Sequence, residues 1–141
     1  MLILSSSLLI AIFLLISCLH FYWAVGGQWA IDNVVPRDEH GKAVLKTGAV
    51  ASTLVGLGLF FFAMYYLLRT GFVEFTLPDI ILNSFGWIIP SIFLLRAIGD
   101  FKYVGFTKKI KDTTFARLDT AYFARLCLLI ASLGLLVQVL A

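Results

Sequence analysis

Side chains that can bind ligands or transfer protons are concentrated in three short segments of this chain, at residues 18–32, 96–106 and 114–120. An imidazole can act as a general acid or base near neutral pH, and a guanidinium group binds carboxylates and phosphates. Aromatic rings beside such groups suit an amphipathic molecule with an anionic head group. The candidate ligand-binding residues are His20, Trp23, Trp29, Arg96, Asp100, Lys102, Tyr103, Arg117 and Asp119.

His20 has two interpretations that the sequence leaves open. As a general acid or base it would need a carboxylate to orient it, and either Asp100 or Asp119 would serve. As a structural residue it would hydrogen-bond a neighbouring helix, while Trp23 and Trp29 would belong to an aromatic belt at a membrane surface. A catalytic role for His20 is therefore one hypothesis among several, and no catalytic residue is assigned.

The charged residues of the second and third segments also have a structural interpretation. Arg96 and Asp100 are four positions apart, so on a helix they lie on one face and can pair. Arg117 and Asp119 can pair with them across two helices, which would neutralise these charges at a membrane edge. The lysines expected to contact anionic lipid are Lys108, Lys109 and Lys111.

The composition identifies the environment in which these residues lie. Of the 141 residues, 61% are hydrophobic and only 13% are charged, and the mean hydropathy is +0.99. Soluble domains average about 45–50% apolar and about 25% charged residues. A soluble enzyme, a nucleic-acid-binding module and a disordered chain are therefore excluded as interpretations. The histidines and cysteines have no metal-ligand spacing and suggest no disulfide framework, so we expect neither a metal nor a cofactor.

Four apolar runs predict four membrane-spanning helices, at about residues 2–25, 47–68, 79–100 and 120–141. About 20 helical residues cross a hydrocarbon layer ~30 Å thick. The first run has no Lys or Arg before it and is longer than a signal-peptide core, so we expect it to be retained. The predicted fold class is all-α: a polytopic membrane protein that forms a four-transmembrane-helix bundle in one domain, residues 1–141.

The basic residues between the spans predict the orientation of the bundle. Loop 1 (between the first two spans) and loop 3 (between the last two) hold at least seven Lys and Arg residues, whereas loop 2 holds Arg69 alone. Because basic residues are enriched in cytoplasmic loops, loops 1 and 3 are expected to face the cytoplasm. Both termini are then expected to lie outside.

Local signals within the spans predict how the helices begin, bend and pack. Gly48, Ser52 and Gly56 recur every four residues, which is typical of a small-residue seam that lets two membrane helices approach closely. Thr76 is expected to cap the third helix. Pro90 lies inside that helix and is expected to kink it.

The chain resembles a known family in each of its polar segments. The first match is His20-x-x-Trp23-Ala24-x-Gly26-Gly27-x-Trp29, followed by Pro36, and the similarity continues through residues 96–106 and 115–120. These strings resemble an uncharacterised bacterial membrane family, domain of unknown function 3995, over essentially the whole chain. The resemblance implies a four-helix protein of the bacterial inner membrane and supplies no activity. The departures are Thr107, where a second Phe is expected, and Phe123-Ala124-Arg125, where a Ser-Pro turn is usual.

These observations favour a small integral membrane protein that binds a lipid or another amphipathic anion in a polar and aromatic pocket at the cytoplasmic membrane edge. The pocket requires the polar segments to converge at one end of the bundle. The alternatives are a membrane-embedded enzyme that uses His20, a small dimeric transporter, and a structural or assembly subunit. Membrane lipids are the expected partners, together with a second copy of the chain if it forms a homo-oligomer.

Overall fold

The computed structural model of the protein describes residues 1–44, 48–75 and 77–141, and these fold into helices joined by loops. Four long helices form a bundle, and two short helices lie at one end of it. A π-helical turn, Asp119–Phe123, joins the second short helix to the last long one. The helices are α1 (Leu2–Ala24), α2 (Ile31–Val34), α3 (Ala49–Arg69), α4 (Asp79–Ile98), α5 (Thr114–Leu118) and α6 (Ala124–Leu140).

The all-α fold class and the four spans are confirmed. The helices α1, α3 and α4 are long and apolar enough to cross a membrane, and so is the continuous segment Thr114–Leu140, which contains α5, the π-helical turn and α6. Large hydrophobic side chains remain exposed on the outer faces of these helices. Exposed apolar area of this extent is characteristic of a surface that contacts lipid. The chain is therefore a multi-pass membrane protein.

The ends of the spans differ from the sequence-based boundaries for local reasons. The fourth span begins at Thr114 rather than near residue 120, because the Thr113 hydroxyl accepts a hydrogen bond of 3.1 Å from the Ala116 N–H and caps the helix. The third span ends at Ile98, because Gly99 has a φ of +97° and leaves the helical conformation. The predicted cap Thr76 lies outside the described residues, as does the predicted start of the second span at residue 47.

The helices pack as two antiparallel hairpins, α1 against α3 and α4 against α6, and the hairpins meet mainly where α1 contacts α6. Phe13 of α1 lies at the centre of the core and is fully buried. Its ring centroid lies 5.8 Å from those of Phe62 and Tyr66 on α3, and 5.3 Å from that of Phe93 on α4. The buried Pro90 lies inside α4, and the helix continues through it.

Small residues allow α1 and α3 to approach closely. The Ser17 hydroxyl donates a hydrogen bond of 2.7 Å to the Gly56 carbonyl, from α1 to α3. A Cβ at Gly56 would lie 3.0 Å from the Phe21 ring, so no larger residue fits without displacing that ring. The predicted seam is confirmed at Ser52 and Gly56, which are buried, and is wrong at Gly48, which is exposed and precedes the helix.

Candidate functional site

Asp119 lies at the centre of a buried group of ions at the end of the bundle that carries loops 1 and 3. Its side chain is fully buried. Arg96 Nη2 lies 3.0 Å from Asp119 Oδ1, and Lys108 Nζ lies 3.1 Å from Oδ2. The Gly105 N–H also donates to Oδ2, at 2.7 Å. We call Arg96, Lys108 and Asp119 the ion cluster.

The position of Lys108 corrects the prediction that it contacts lipid at the membrane surface. Its side chain is only 1% exposed, whereas Lys109 and Lys111 are exposed. Besides its ion pair, Nζ donates to the Gly105 carbonyl at 2.8 Å and to Thr120 Oγ1 at 2.6 Å. These three acceptors use the full donor capacity of the ammonium group. Lys108 is therefore a buried structural cation, which its place in a basic run of loop 3 did not indicate.

Loop 3 reaches Asp119 because it folds back over the end of α4. The Phe106 N–H donates to the Ala97 carbonyl at 2.9 Å, so the loop is bonded to the last turn of the helix. Gly99 and Gly105 lie back to back, with φ of +97° and +83°. A Cβ on Gly99 would collide with the Val104 carbonyl, which explains why glycine occupies this crossing.

Asp100 organises the same loop instead of pairing with Arg96. Its Oδ1 accepts hydrogen bonds from the N–H groups of Lys102, Tyr103 and Val104, at 2.9, 2.7 and 2.9 Å. Partial burial raises the pKa of Asp100, but these hydrogen bonds outweigh it and hold the pKa below its usual value. The predicted pair between Arg96 and Asp100 is therefore wrong, because α4 ends before Asp100.

The ion cluster has one positive charge in excess and one unused donor. Two cations share a single carboxylate, so the cluster as a whole carries a net charge of about +1. Arg96 Nη1 is buried and has no hydrogen-bond partner among the described residues. The Arg96 side chain as a whole is 34% exposed. An anionic oxygen that reached Nη1 would satisfy the donor and balance the charge.

The backbone around Asp119 is also unusual, since the π-helical turn Asp119–Phe123 begins at this residue. Short π-helical turns inside α-helices are rare and occur frequently at functional sites. The turn ends at Phe123, the first residue of the string Phe123-Ala124-Arg125. Arg125 itself is exposed.

His20, Trp23 and Trp29 form a separate aromatic cluster at the end of α1. His20 Nδ1 lies 2.8 Å from the Ile16 carbonyl, and the imidazole packs edge-on against Trp23 with centroids 5.1 Å apart. The Trp23 indole N–H donates to the Trp29 carbonyl at 2.9 Å. Among the described residues, the hydrogen bond of His20 is to its own helix, and no carboxylate orients it. The acid–base hypothesis therefore lacks the partner that it requires.

Lys102 and Tyr103 face loop 1 rather than the ion cluster. The Lys102 ammonium lies 5.0 Å from the centroid of the Tyr103 ring. Both side chains line an open cleft of about 220 Å³ with Asp38, Glu39 and His40 of loop 1. A hydrogen bond from the Lys42 N–H is the main cause that lowers the pKa of Asp38. A second open cleft, of about 390 Å³, lies between Arg37–Gly41 and Ile110–Thr114.

The candidate residues are therefore brought together in part. Arg96 and Asp119 meet in the ion cluster, and Asp100 supports the loop that completes it. Arg117 is exposed and makes no ion pair in the described part of the chain. Within the described ranges, no group of three or more His, Cys, Asp or Glu side chains is placed to hold a metal. Cys18 is exposed and Cys127 is half-buried, both as free thiols.

A second polar cluster lies at the opposite end of the bundle, so polar side chains are not confined to the end that carries the three polar segments. Arg69 Nη2 donates to Gln138 Oε1 at 3.1 Å, and Gln138 Nε2 donates to Asn83 Oδ1 at 2.6 Å. The Tyr65 hydroxyl donates to the Leu82 carbonyl at 2.8 Å. Asn83 and Gln138 are not among the sequence-predicted residues, because each is a single neutral amide within an apolar run.

Comparison with known proteins gives one match. The family described as "Protein of unknown function (DUF3995)" matches residues 13–134, which is most of the chain. No curated protein and no solved structure matches it.

Proposed function

This chain belongs to the DUF3995 family of proteins of unknown function, and from that premise we propose that it binds the anionic head group of a lipid or similar amphipathic molecule beside Arg96. The observation that carries the proposal is the buried and unpartnered Nη1 of Arg96. Buried donors in folded proteins nearly always have a partner. An oxygen of a phosphate or carboxylate is the partner that a guanidinium group binds best.

The charge of the site supports an anion over a neutral ligand. Asp119 is already shared between Arg96 and Lys108, so the excess positive charge has no counter-ion among the described residues. An unbalanced charge at a membrane edge is costly. A neutral ligand would satisfy the donor and leave the charge unbalanced.

The surroundings support an amphipathic ligand over a small ion. The exposed fractions of the Phe101 and Phe106 side chains, in the loop that covers the cluster, are 62% and 43%. Trp29, in loop 1, is 70% exposed. Trp is enriched where acyl chains meet head groups, and exposed Phe side chains add apolar surface there. A molecule with its head group at Arg96 would therefore place its chain against apolar side chains.

The orientation of the bundle is part of this proposal. Loops 1 and 3 contain most of the basic residues between the spans, which supports a cytoplasmic location for both loops and an external location for the termini. The family resemblance supports the bacterial inner membrane. The site would then contact lipids of the cytoplasmic leaflet, which supplies anionic head groups.

The experiment compares Arg96→Gln with Arg117→Gln. Both substitutions remove one positive charge, but Arg117 is exposed and makes no ion pair with any described residue. Arg96→Gln leaves Lys108 paired with Asp119, so the cluster stays neutralised and the variant is expected to fold. Purified proteins are incubated with mixed phosphatidylglycerol and phosphatidylcholine micelles, and retained lipid is measured by native mass spectrometry.

We expect Arg96→Gln to lower phosphatidylglycerol retention about tenfold, because it removes one charge-assisted hydrogen bond to the head group. Arg117→Gln is expected to retain the wild-type amount. Equal retention by the wild type and Arg96→Gln would overturn the proposal and would leave the ion cluster as a purely structural brace.

A further inference from the structure

The polar cluster at the loop-2 end of the bundle has the properties of a second, independent site. We propose that Arg69, Tyr66 and Ser6 bind an oxyanion there, a phosphate or carboxylate group that belongs either to a lipid head group of that leaflet or to a free anion. This site is separate from the one beside Arg96, because Arg69 ends α3 and Arg96 ends α4, at opposite ends of an antiparallel bundle.

Three polar groups in this region are buried without partners. The Tyr66 side chain is 1% exposed and the Ser6 side chain is fully buried, and neither hydroxyl has a hydrogen-bond partner among the described residues. Arg69 Nε is likewise buried and unpartnered. Since the great majority of buried polar groups are paired in folded proteins, three orphans in one region indicate that a partner is missing.

Sequence spacing and helix register place the three residues in the half of the bundle nearer loop 2. Tyr66 and Arg69 are three positions apart on α3 and therefore lie on one face. The contacts of Ser17 with Gly56 and of Phe13 with Phe62 fix the antiparallel register of α1 and α3. Continuing that register toward the start of α1 places Ser6 level with the last turn of α3, where Arg69 lies.

Glycines on the two other helices let these side chains approach the helix backbones closely. A Cβ on Gly134 of α6 would lie 2.7 Å from the Tyr66 hydroxyl and 3.0 Å from Pro90 of α4. A Cβ on Gly86 would collide with the Gln138 side chain and lie 2.9 Å from the Tyr65 hydroxyl. The Tyr66 hydroxyl therefore lies against α6 and α4, and the Gln138 side chain lies against α4.

The charge of the site selects an anion. Arg69 has only the neutral Gln138 as a hydrogen-bond partner in the described part of the chain, and no carboxylate lies within ion-pair distance there. Nε can only donate, and the two hydroxyls can donate as well. A negatively charged ligand that accepts a hydrogen bond from each of the three groups would give all of them a partner. Water would leave the guanidinium group without a counter-ion.

The test uses the full chain in phosphatidylcholine nanodiscs and measures thermal unfolding by tryptophan fluorescence. One arm titrates inorganic phosphate. The other replaces part of the phosphatidylcholine with phosphatidylglycerol. Both arms use the Arg96→Gln background, so that the site proposed above does not contribute. A Tm increase with phosphate assigns a free anion, and an increase with phosphatidylglycerol alone assigns a head group. No increase in either arm overturns the proposal.

Two variants and one control variant separate binding from folding. Tyr66→Phe removes an unpartnered hydroxyl, so without ligand its Tm should equal or exceed that of the unsubstituted protein. The probe concentration that gives half of the maximal Tm increase should rise about tenfold. Arg69→Gln should abolish the response, and Arg117→Gln, with an exposed arginine at the other end, should keep it in full. A Tyr66→Phe protein whose Tm falls equally with and without probe would show that the hydroxyl binds only water, and would overturn the proposal.

Discussion

Arg96 and Asp119 are separated by most of loop 3 in the sequence, yet Arg96 Nη2 lies 3.0 Å from Asp119 Oδ1 and joins the third span to the fourth. Lys108 completes the connection from within the loop itself. The same carboxylate therefore fixes two helices and the segment between them. A buried ion pair contributes little net free energy when it is intact, but the loss of one partner is costly.

Asp119→Asn is predicted to be the most destabilising single change in this region. It leaves the buried Lys108 and the partly exposed Arg96 with no carboxylate between them. We expect the free energy of unfolding to fall by about 3–5 kcal/mol. Denaturant unfolding in mild detergent measures the change, and Asp112→Asn, at an exposed position in the same loop, is the control. Equal stability of the two variants would contradict the structural role of the cluster.

Gly99→Ala is predicted to destabilise the protein more than Gly26→Ala. Both glycines have a φ of +97°, so both substitutions introduce the same backbone strain. A Cβ on Gly26 meets nothing within 4 Å, whereas one on Gly99 collides with the Val104 carbonyl. We expect the backbone strain alone to lower the free energy of unfolding by about 1–3 kcal/mol in both variants. The decrease should be larger for Gly99→Ala, because of the collision. Thermal unfolding of both variants in the same detergent tests this prediction. A melting temperature that is lower for Gly26→Ala than for Gly99→Ala would refute it.

Gly56→Leu is predicted to separate α1 from α3. The new side chain would occupy the space of the Phe21 ring and push the helices apart, at the level of the hydrogen bond from Ser17 to the Gly56 carbonyl. Overpacking of this kind costs about 1–3 kcal/mol or more. Gly58→Leu is the control, since a Cβ there meets nothing within 4 Å. The melting temperature in detergent should fall for the first variant only.

Asp100 is predicted to make stability depend on pH in the acid range. Its pKa is lower in the folded protein than the unfolded value of about 3.9. Ionised Asp100 therefore favours folding above that value, and the contribution is lost as the pH falls through the lower folded pKa. Asp100→Asn should be less stable than the wild type at pH ~6, and the difference should disappear as the pH falls through the lowered pKa of folded Asp100. The measurement is the free energy of unfolding against pH for both proteins. A constant difference between them over this pH range would contradict the predicted contribution of Asp100.

The spans were predictable because length and hydropathy decide them. An uncharged run of about 20 residues has few alternatives to a membrane helix, and α1 and α3 match their predicted ranges closely. The pairing of small residues at Gly56 followed from spacing alone.

The ion pairs were only partly predictable because they depend on the path of loop 3. Arg96 and Asp119 were recognised as residues that can pair, but Lys108 reaches Asp119 only through the turns at Gly99 and Gly105. The hydrogen bonds from three backbone N–H groups to Asp100 also depend on the path of loop 3. The cluster around Arg69 involves Gln138, whose neutral amide stands out from its apolar neighbours only once a partner is known.

The π-helical turn has a geometric consequence for the fourth span. Each helical residue advances the azimuth by about 100°, and a π-helical turn accommodates roughly one residue more than an α-helical turn. With Ala124 fixed against its neighbours in the core, an uninterrupted α-helix would rotate Asp119 by about that angle away from Arg96. The extra residue of the π-helical turn therefore changes the rotation of Asp119 about the helix axis relative to α6. The fourth span can in this way direct Asp119 toward Arg96 and its apolar face toward the other three spans.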